Sequence, residues 1–183
     1  TNKYLIMSLA DLTTDTGVVF SNINASASSA YSEYDGITNT ATIIAQAGHS
    51  NSAAKLCTDY VSNGYSDWYL PSTQEMMMAF NAGAIIGYVL SKNDFAEYGF
   101  NVPRGIYWTS TQPRDDQPLS SSFSIAFNIG NLSPKLVFHY EKNLNASVRA
   151  FRLASEEEEN IKWNDEWDPS HVPIDWKIPS WAT

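Results

Sequence analysis

The chain has 183 residues, of which 43% are hydrophobic and 17% charged, enough to bury the core of one domain and too well mixed for disorder throughout. A formal net charge of -9, with no clustering of Lys and Arg, argues against nucleic acid and against polyanionic polysaccharide as partners. The single cysteine, Cys57, excludes an internal disulfide and a Cys-rich metal site.

KYLIMSLA (3–10) reads as a first strand. It is too short for a signal peptide and no cleavage pattern follows it, so an export signal would lie outside this chain. No apolar run approaches the ~20 residues that cross a bilayer. Small, polar, turn-rich segments follow, up to a helix expected over TNTATIIAQAG (38–48). A second helix is expected in NSAAKLCTDYVSNG, capped by Asn51 and ended by Gly64. It has Ala53, Leu56, Cys57, Tyr60 and Val61 on one apolar stripe. On that stripe Cys57 reads as a small buried hydrophobe, since no neighbouring His or Lys would lower its pKa.

DWYLPSTQE (67–75) is a strand-like entry locked onto a helix start. Ser72 and Glu75 form a capping box, in which the Ser72 hydroxyl accepts from the Glu75 N–H and the Glu75 carboxylate accepts from the Ser72 N–H. Pro71 sits just outside and holds Leu70 extended. This assigns Glu75 to architecture before catalysis. The helix continues through Phe80, and NAGAIIGYVL beyond it is apolar but poorly specified. NVPRG (101–105) marks a turn, after which strands dominate: 106–111, 123–129, 135–141 and 147–154. Early helices followed by a late antiparallel sheet are the order of an α+β domain. In the last strand Val148, Ala150 and Arg152 alternate with Arg149 and Phe151. A buried arginine needs a carboxylate partner, and Asp67 or Glu75 is expected to supply it.

Composition changes at Ser155. Residues 155–183 hold eight acidic and two basic side chains, four of the six tryptophans and three prolines. The prolines forbid a long helix. The segment reads as an extended arm that docks Trp163, Trp167, Trp176 and Trp181 on its own domain or on a neighbouring subunit. The expected organisation is therefore a domain over 1–154 and an arm over 155–183.

Four motifs in order, AAKLC (53–57), DWYLPS with Glu75, YWTST (107–111) and VRAFR (148–152), resemble the Lcl C-terminal domain family. These are bacterial and phage modules named for a collagen-like adhesin. The resemblance spans roughly residues 4–154. It implies a C-type lectin-like fold related to the formylglycine-generating enzymes, and a role in attachment or ligand display on a bacterial surface or phage virion. The chain departs from those relatives in lacking a basic face for sulfated polysaccharide and the active-site cysteines of the enzymes. Trp163-Asn164-Asp165 matches one calcium-binding stretch of lectins, but it lies in the arm and no Glu-Pro-Asn accompanies it, so no metal or other cofactor is expected.

Catalysis has little sequence support. His49, His139 and His171 are scattered without metal-ligand spacing, and no phosphate loop or nucleophile elbow occurs. The expectation is a non-enzymatic binding module for a cell-surface glycan or receptor. Its contact surface is expected on the polar loop 112–122, with Gln112, Arg114, Asp115, Asp116 and Gln117 as contacts. Arg104 and the Tyr-rich segment 31–34 flank it. The alternative is a structural or decoration subunit of a larger assembly, held to its neighbours by the arm.

Overall fold

A computed structural model describes residues 3–13, 16–92, 105–114, 123–129 and 137–155. The chain is mixed α+β. Strand β1 (Lys3–Met7) is followed by helices α1 (Gly36–Ile44), α2 (Ala53–Asp59) and α3 (Thr73–Lys92). Four strands come next: β2 (Gly105–Trp108), β3 (Phe123–Ile129), β4 (Val137–Glu141) and β5 (Phe151–Ser155). β2, β3 and β4 form an antiparallel sheet in that order, with Trp108 opposite Ala126 and Phe123 opposite Glu141. β1 pairs with β5 in a second, two-stranded sheet. The chain divides into two compact units, Leu5–Arg152 and a smaller one made of residues 1–4 with 153–183. In the smaller unit the described residues are the outer ends of β1 and β5 and include the buried Ala154.

Segment 146–151 organises the larger unit, although only its last residue belongs to a named strand. One of its edges bonds to the N-terminal loops: Ser8 N–H donates to Ala150 O (2.8 Å), Leu12 N–H to Val148 O (2.8 Å) and Val18 N–H to Ala146 O (2.9 Å). Ser147 exchanges bonds with β2, donating to Ile106 O (2.8 Å) and accepting from Trp108 N–H (3.0 Å). Phe151 and Tyr69 exchange a reciprocal pair at 2.8 and 2.9 Å. Val148, Arg149, Ala150, Phe151 and Arg152 are all buried, so both faces of the expected alternation are covered.

The two arginines enter that core only because each is paired. Arg152 makes a bidentate contact with Asp67 at 2.8 and 3.1 Å and lies over the Tyr65 ring at 3.6 Å. The hydrogen bond from Arg152 pulls the Asp67 pKa below the usual carboxylate range. Asp67 is thus one of the two expected partners. Glu75 is not the other, for Arg149 pairs with Asp11 and donates to the carbonyls of Ser8 and Leu9. Asp11 also accepts from the Tyr107 hydroxyl (2.9 Å).

Trp108 is fully buried, edge-on to Phe20 with centroids 5.2 Å apart and tilted against Tyr140 at 5.3 Å. Its indole N–H donates to Val18 O (2.8 Å), so the ring is sealed without a stranded donor. Trp68 packs on Tyr60 at 5.2 Å and donates to Tyr65 O (3.1 Å). Cys57 is buried as expected, and burial raises its pKa.

The capping box forms as read. Ser72 N–H donates to Glu75 Oε2 (2.7 Å) and Glu75 N–H to Ser72 Oγ (3.4 Å), while Glu75 Oε1 accepts from the Tyr69 hydroxyl (2.9 Å). With its carboxylate engaged on both oxygens and buried, Glu75 serves the architecture. Other helix ends differ from expectation. α1 starts two residues early because Asp35 caps it, accepting from Thr38 N–H (2.9 Å) and Thr38 Oγ1 (2.6 Å). α2 is capped by Ser52, not Asn51, and ends at Asp59; Gly64 instead takes a positive φ of 78° in the tight turn 62–65. Val61 therefore leaves the stripe and is 64% exposed. α3 runs on to Lys92 through the apolar stretch. The strand expected over 147–154 begins only at Phe151, as β5; residues 135–136 of the one expected over 135–141, and the turn at 101–104, lie outside the described residues.

The N-terminus of α1 abuts the capping box at Gly36, where a Cβ would collide with Glu75 Oε2 and come within 2.8 Å of both Leu70 O and Ser72 N. Gly36→Ala is expected to destabilise the protein by about 1–3 kcal/mol through overpacking against fixed backbone. Urea denaturation at unchanged m-value checks it.

Candidate functional site

Residues 31–34 and 111–114 line one groove together with His139 of β4, with a cavity volume of about 590 Å³, within the size range of small-molecule sites. Its walls are built by buried polar groups rather than by apolar packing. Asn39 of α1, fully buried, accepts from Ser32 N–H (3.1 Å) and donates to Ser32 O (2.7 Å), and its amide also reaches Ser110 Oγ (3.4 Å). Thr111 Oγ1 donates to Ser32 O (2.9 Å) and accepts from Thr73 N–H (3.1 Å). Backbone bonds complete the frame: Gln74 N–H to Glu33 O (2.9 Å), Ser110 N–H to Pro71 O and Gln112 N–H to Ala30 O (both 2.8 Å). Both walls are therefore held by the same helix junction that the capping box creates.

The lining is chemically mixed. Tyr31 and Tyr34 present exposed rings, Tyr34 at 71%. Glu33 and Arg114 are exposed charges of opposite sign, and the Arg114 guanidinium stands 5.8 Å from the Tyr31 ring centre. Gln112 differs from the surface-loop contact expected of it. It is only 2% exposed, and its Oε1 accepts from Ala27 N–H (3.2 Å) and Lys142 Nζ (2.9 Å). Its Nε2 is buried with no hydrogen-bond partner.

Lys142, outside the lining itself, bonds Gln112 and was not expected. It is 2% exposed, donates to Ala25 O (3.0 Å) and Gln112 Oε1, and lies 5.5 Å from the Phe20 ring centre. No carboxylate pairs with it among the described residues. Desolvation lowers its pKa to about 8. No sequence signal separated it from a solvated lysine in a polar turn.

Of the residues expected to bind ligand, Gln112 and Arg114 fall on this groove beside 31–34. Arg104, Asp115, Asp116 and Gln117 lie outside the described residues, as do Trp163, Trp167, Trp176 and Trp181 of the arm. Elsewhere, His49 Nε2 lies 2.8 Å from Ser52 Oγ. That serine is buried and accepts from Lys55 N–H as the cap of α2, and burial lowers the His49 pKa, so the pair closes a helix end. Among the described residues no group of three or more His, Cys, Asp or Glu is placed to hold a metal, and no helix is long and apolar enough to cross a membrane. No family model matches the chain, and no curated protein matches it.

Unfolded lysine keeps its proton to about pH 10.5 whereas folded Lys142 releases it near 8. Between these values the unfolded state binds more protons, so stability is expected to rise with pH. Burial and the neighbouring carboxylates raise the Tyr69 and Tyr107 pKa values above 10. Beyond pH ~10 the folded state therefore holds the extra protons and stability falls. Chemical denaturation from pH 7 to 11 should show this maximum, and Lys142→Met should abolish the rising limb while keeping the fall. In the same assay Asn39→Ala is expected to cost about 1–3 kcal/mol, because it removes the partner of the half-buried Ser32 N–H and one of the two donors to the Ser32 carbonyl.

Proposed function

We propose that the chain is a non-enzymatic ligand-binding module whose groove at 31–34 and 111–114 takes a saccharide of a cell surface. The observation that carries this reading is the pair of exposed tyrosine rings beside Glu33, Arg114 and His139 on a rigidly held frame. Aromatic faces pack against the C–H faces of sugar rings, while short charged and amide groups at the rim meet the hydroxyls. Glu75, the helix-capping Ser52 and the buried Cys57 are committed to the fold, which supports binding over catalysis by these three. The motif resemblance to the Lcl C-terminal domain family supports the same reading, with a C-type lectin-like fold and display on a bacterial surface or phage virion.

The test is a glycan screen of the full chain followed by titration of any hit. Tyr34→Ala is expected to weaken saccharide binding by about fivefold or more with an unchanged melting temperature, because so exposed a ring contributes little to the core. Unchanged affinity in this variant would remove the groove from the recognition surface.

A further inference from the structure

Beside the groove one buried donor has no hydrogen-bond partner, and one buried cation, though hydrogen-bonded, has no countercharge among the described residues. Lys142 carries its ammonium among Ala25 O, Gln112 Oε1 and the Phe20 ring with no carboxylate paired to it among the described residues. Gln112, on the groove lining, has an amide nitrogen with no hydrogen-bond partner. An unmet buried donor is destabilising, and so is a buried charge without a countercharge.

The two defects are connected through one amide. Gln112 Oε1 is fixed from both sides by Lys142 Nζ and Ala27 N–H, which leaves Nε2 as the free end. An ammonium on the oxygen polarises the amide and makes its N–H₂ a stronger donor. The positive end of a charged relay is thus turned away from Lys142, with the Arg114 guanidinium available at the groove's rim.

We propose that this groove is selective for a sugar bearing a single carboxylate, with Gln112 Nε2 and Arg114 as its donors and Tyr31 and Tyr34 against the ring. The inference rests on the saccharide-binding reading above. A carboxylate supplies both missing partners at once: an acceptor for the amide, and a countercharge that Lys142 feels through it. A polyanion remains disfavoured, because the requirement is one buried donor set and not a basic face. Nε2 is buried, so a carboxylate reaches it only where the lining side chains give way.

The test is calorimetric titration of the full chain with glucuronic acid, N-acetylneuraminic acid, glucose, N-acetylglucosamine and acetate, for wild type and Gln112→Glu. The variant keeps Oε1 for Lys142 and Ala27, removes the amide donor and gives Lys142 a paired carboxylate. Its melting temperature is therefore expected to rise, which separates a binding effect from misfolding. Wild type should prefer the acidic sugars to the neutral ones by about tenfold or more, and Gln112→Glu should erase that preference. Equal affinity for glucuronic acid and glucose would overturn the carboxylate inference and leave the saccharide reading intact, as would an acidic-sugar preference unchanged in Gln112→Glu. Binding of acetate without any sugar, or of no probe at all, would overturn both.

Discussion

The larger unit depends on one short stretch of backbone having no free side. Residues 146–151 share hydrogen bonds with the N-terminal loops at 8, 12 and 18, with β2 through Ser147, and with Tyr69 through Phe151. Side chains on both faces are buried. A segment in that position must satisfy every backbone group by pairing, which explains why distant loops with little regular structure of their own are nonetheless fixed. It also explains the paired arginines. Arg149 and Arg152 stand where apolar residues would ordinarily pack, and Asp11 and Asp67 make their burial tolerable.

From that stretch the order passes outward to the groove. Tyr69 is held by Phe151 and by Glu75, Glu75 holds Ser72, and the same junction seats Gly36 and Asn39 of α1. Asn39 and Thr111 then bring the segments at 32 and 111 together. The groove walls are thus set by directional hydrogen bonds between buried polar groups. Such networks specify geometry well when every member is satisfied. Gln112 Nε2, a buried donor with no partner, belongs to a residue of the groove lining, and Lys142 bonds the other end of the same amide.

What was legible in the sequence follows the range of the interaction. The capping box needs four consecutive residues, and it formed as read. The α+β order and the span of β3 followed from alternation and turn residues. Helix starts were displaced by the residues that cap them: Asp35 starts α1 ahead of the expected 38, and Ser52 caps α2 in place of its neighbour Asn51. Either residue type caps well, and only the tertiary surroundings choose between them. The Arg152–Asp67 pair was accessible because an arginine in a strand needs a carboxylate, but the Arg149–Asp11 pair spans 138 residues with no local sign. The groove was half legible. A tyrosine-rich loop and a polar loop suggested a surface, yet the joining residues Asn39, Thr111 and Lys142 look like ordinary polar positions until the chain closes on itself.

The placement of the central stretch has a kinetic side. Residues 146–151 are the strip against which the segments around 8, 12, 18, 69 and 107 all settle, and most of those contacts close loops of many tens of residues. During synthesis the earlier segments leave the ribosome without the strip that completes them. α1, α2 and the first turns of α3, capped locally by Asp35, Ser52 and Ser72, can flicker into being alone. The loops between them must wait. Folding of this kind is late and non-local, and it is slow for its size because loop closure comes before its reward. Until that strip arrives the aromatic residues destined for the core stay open to other chains, which exposes the incomplete chain to aggregation.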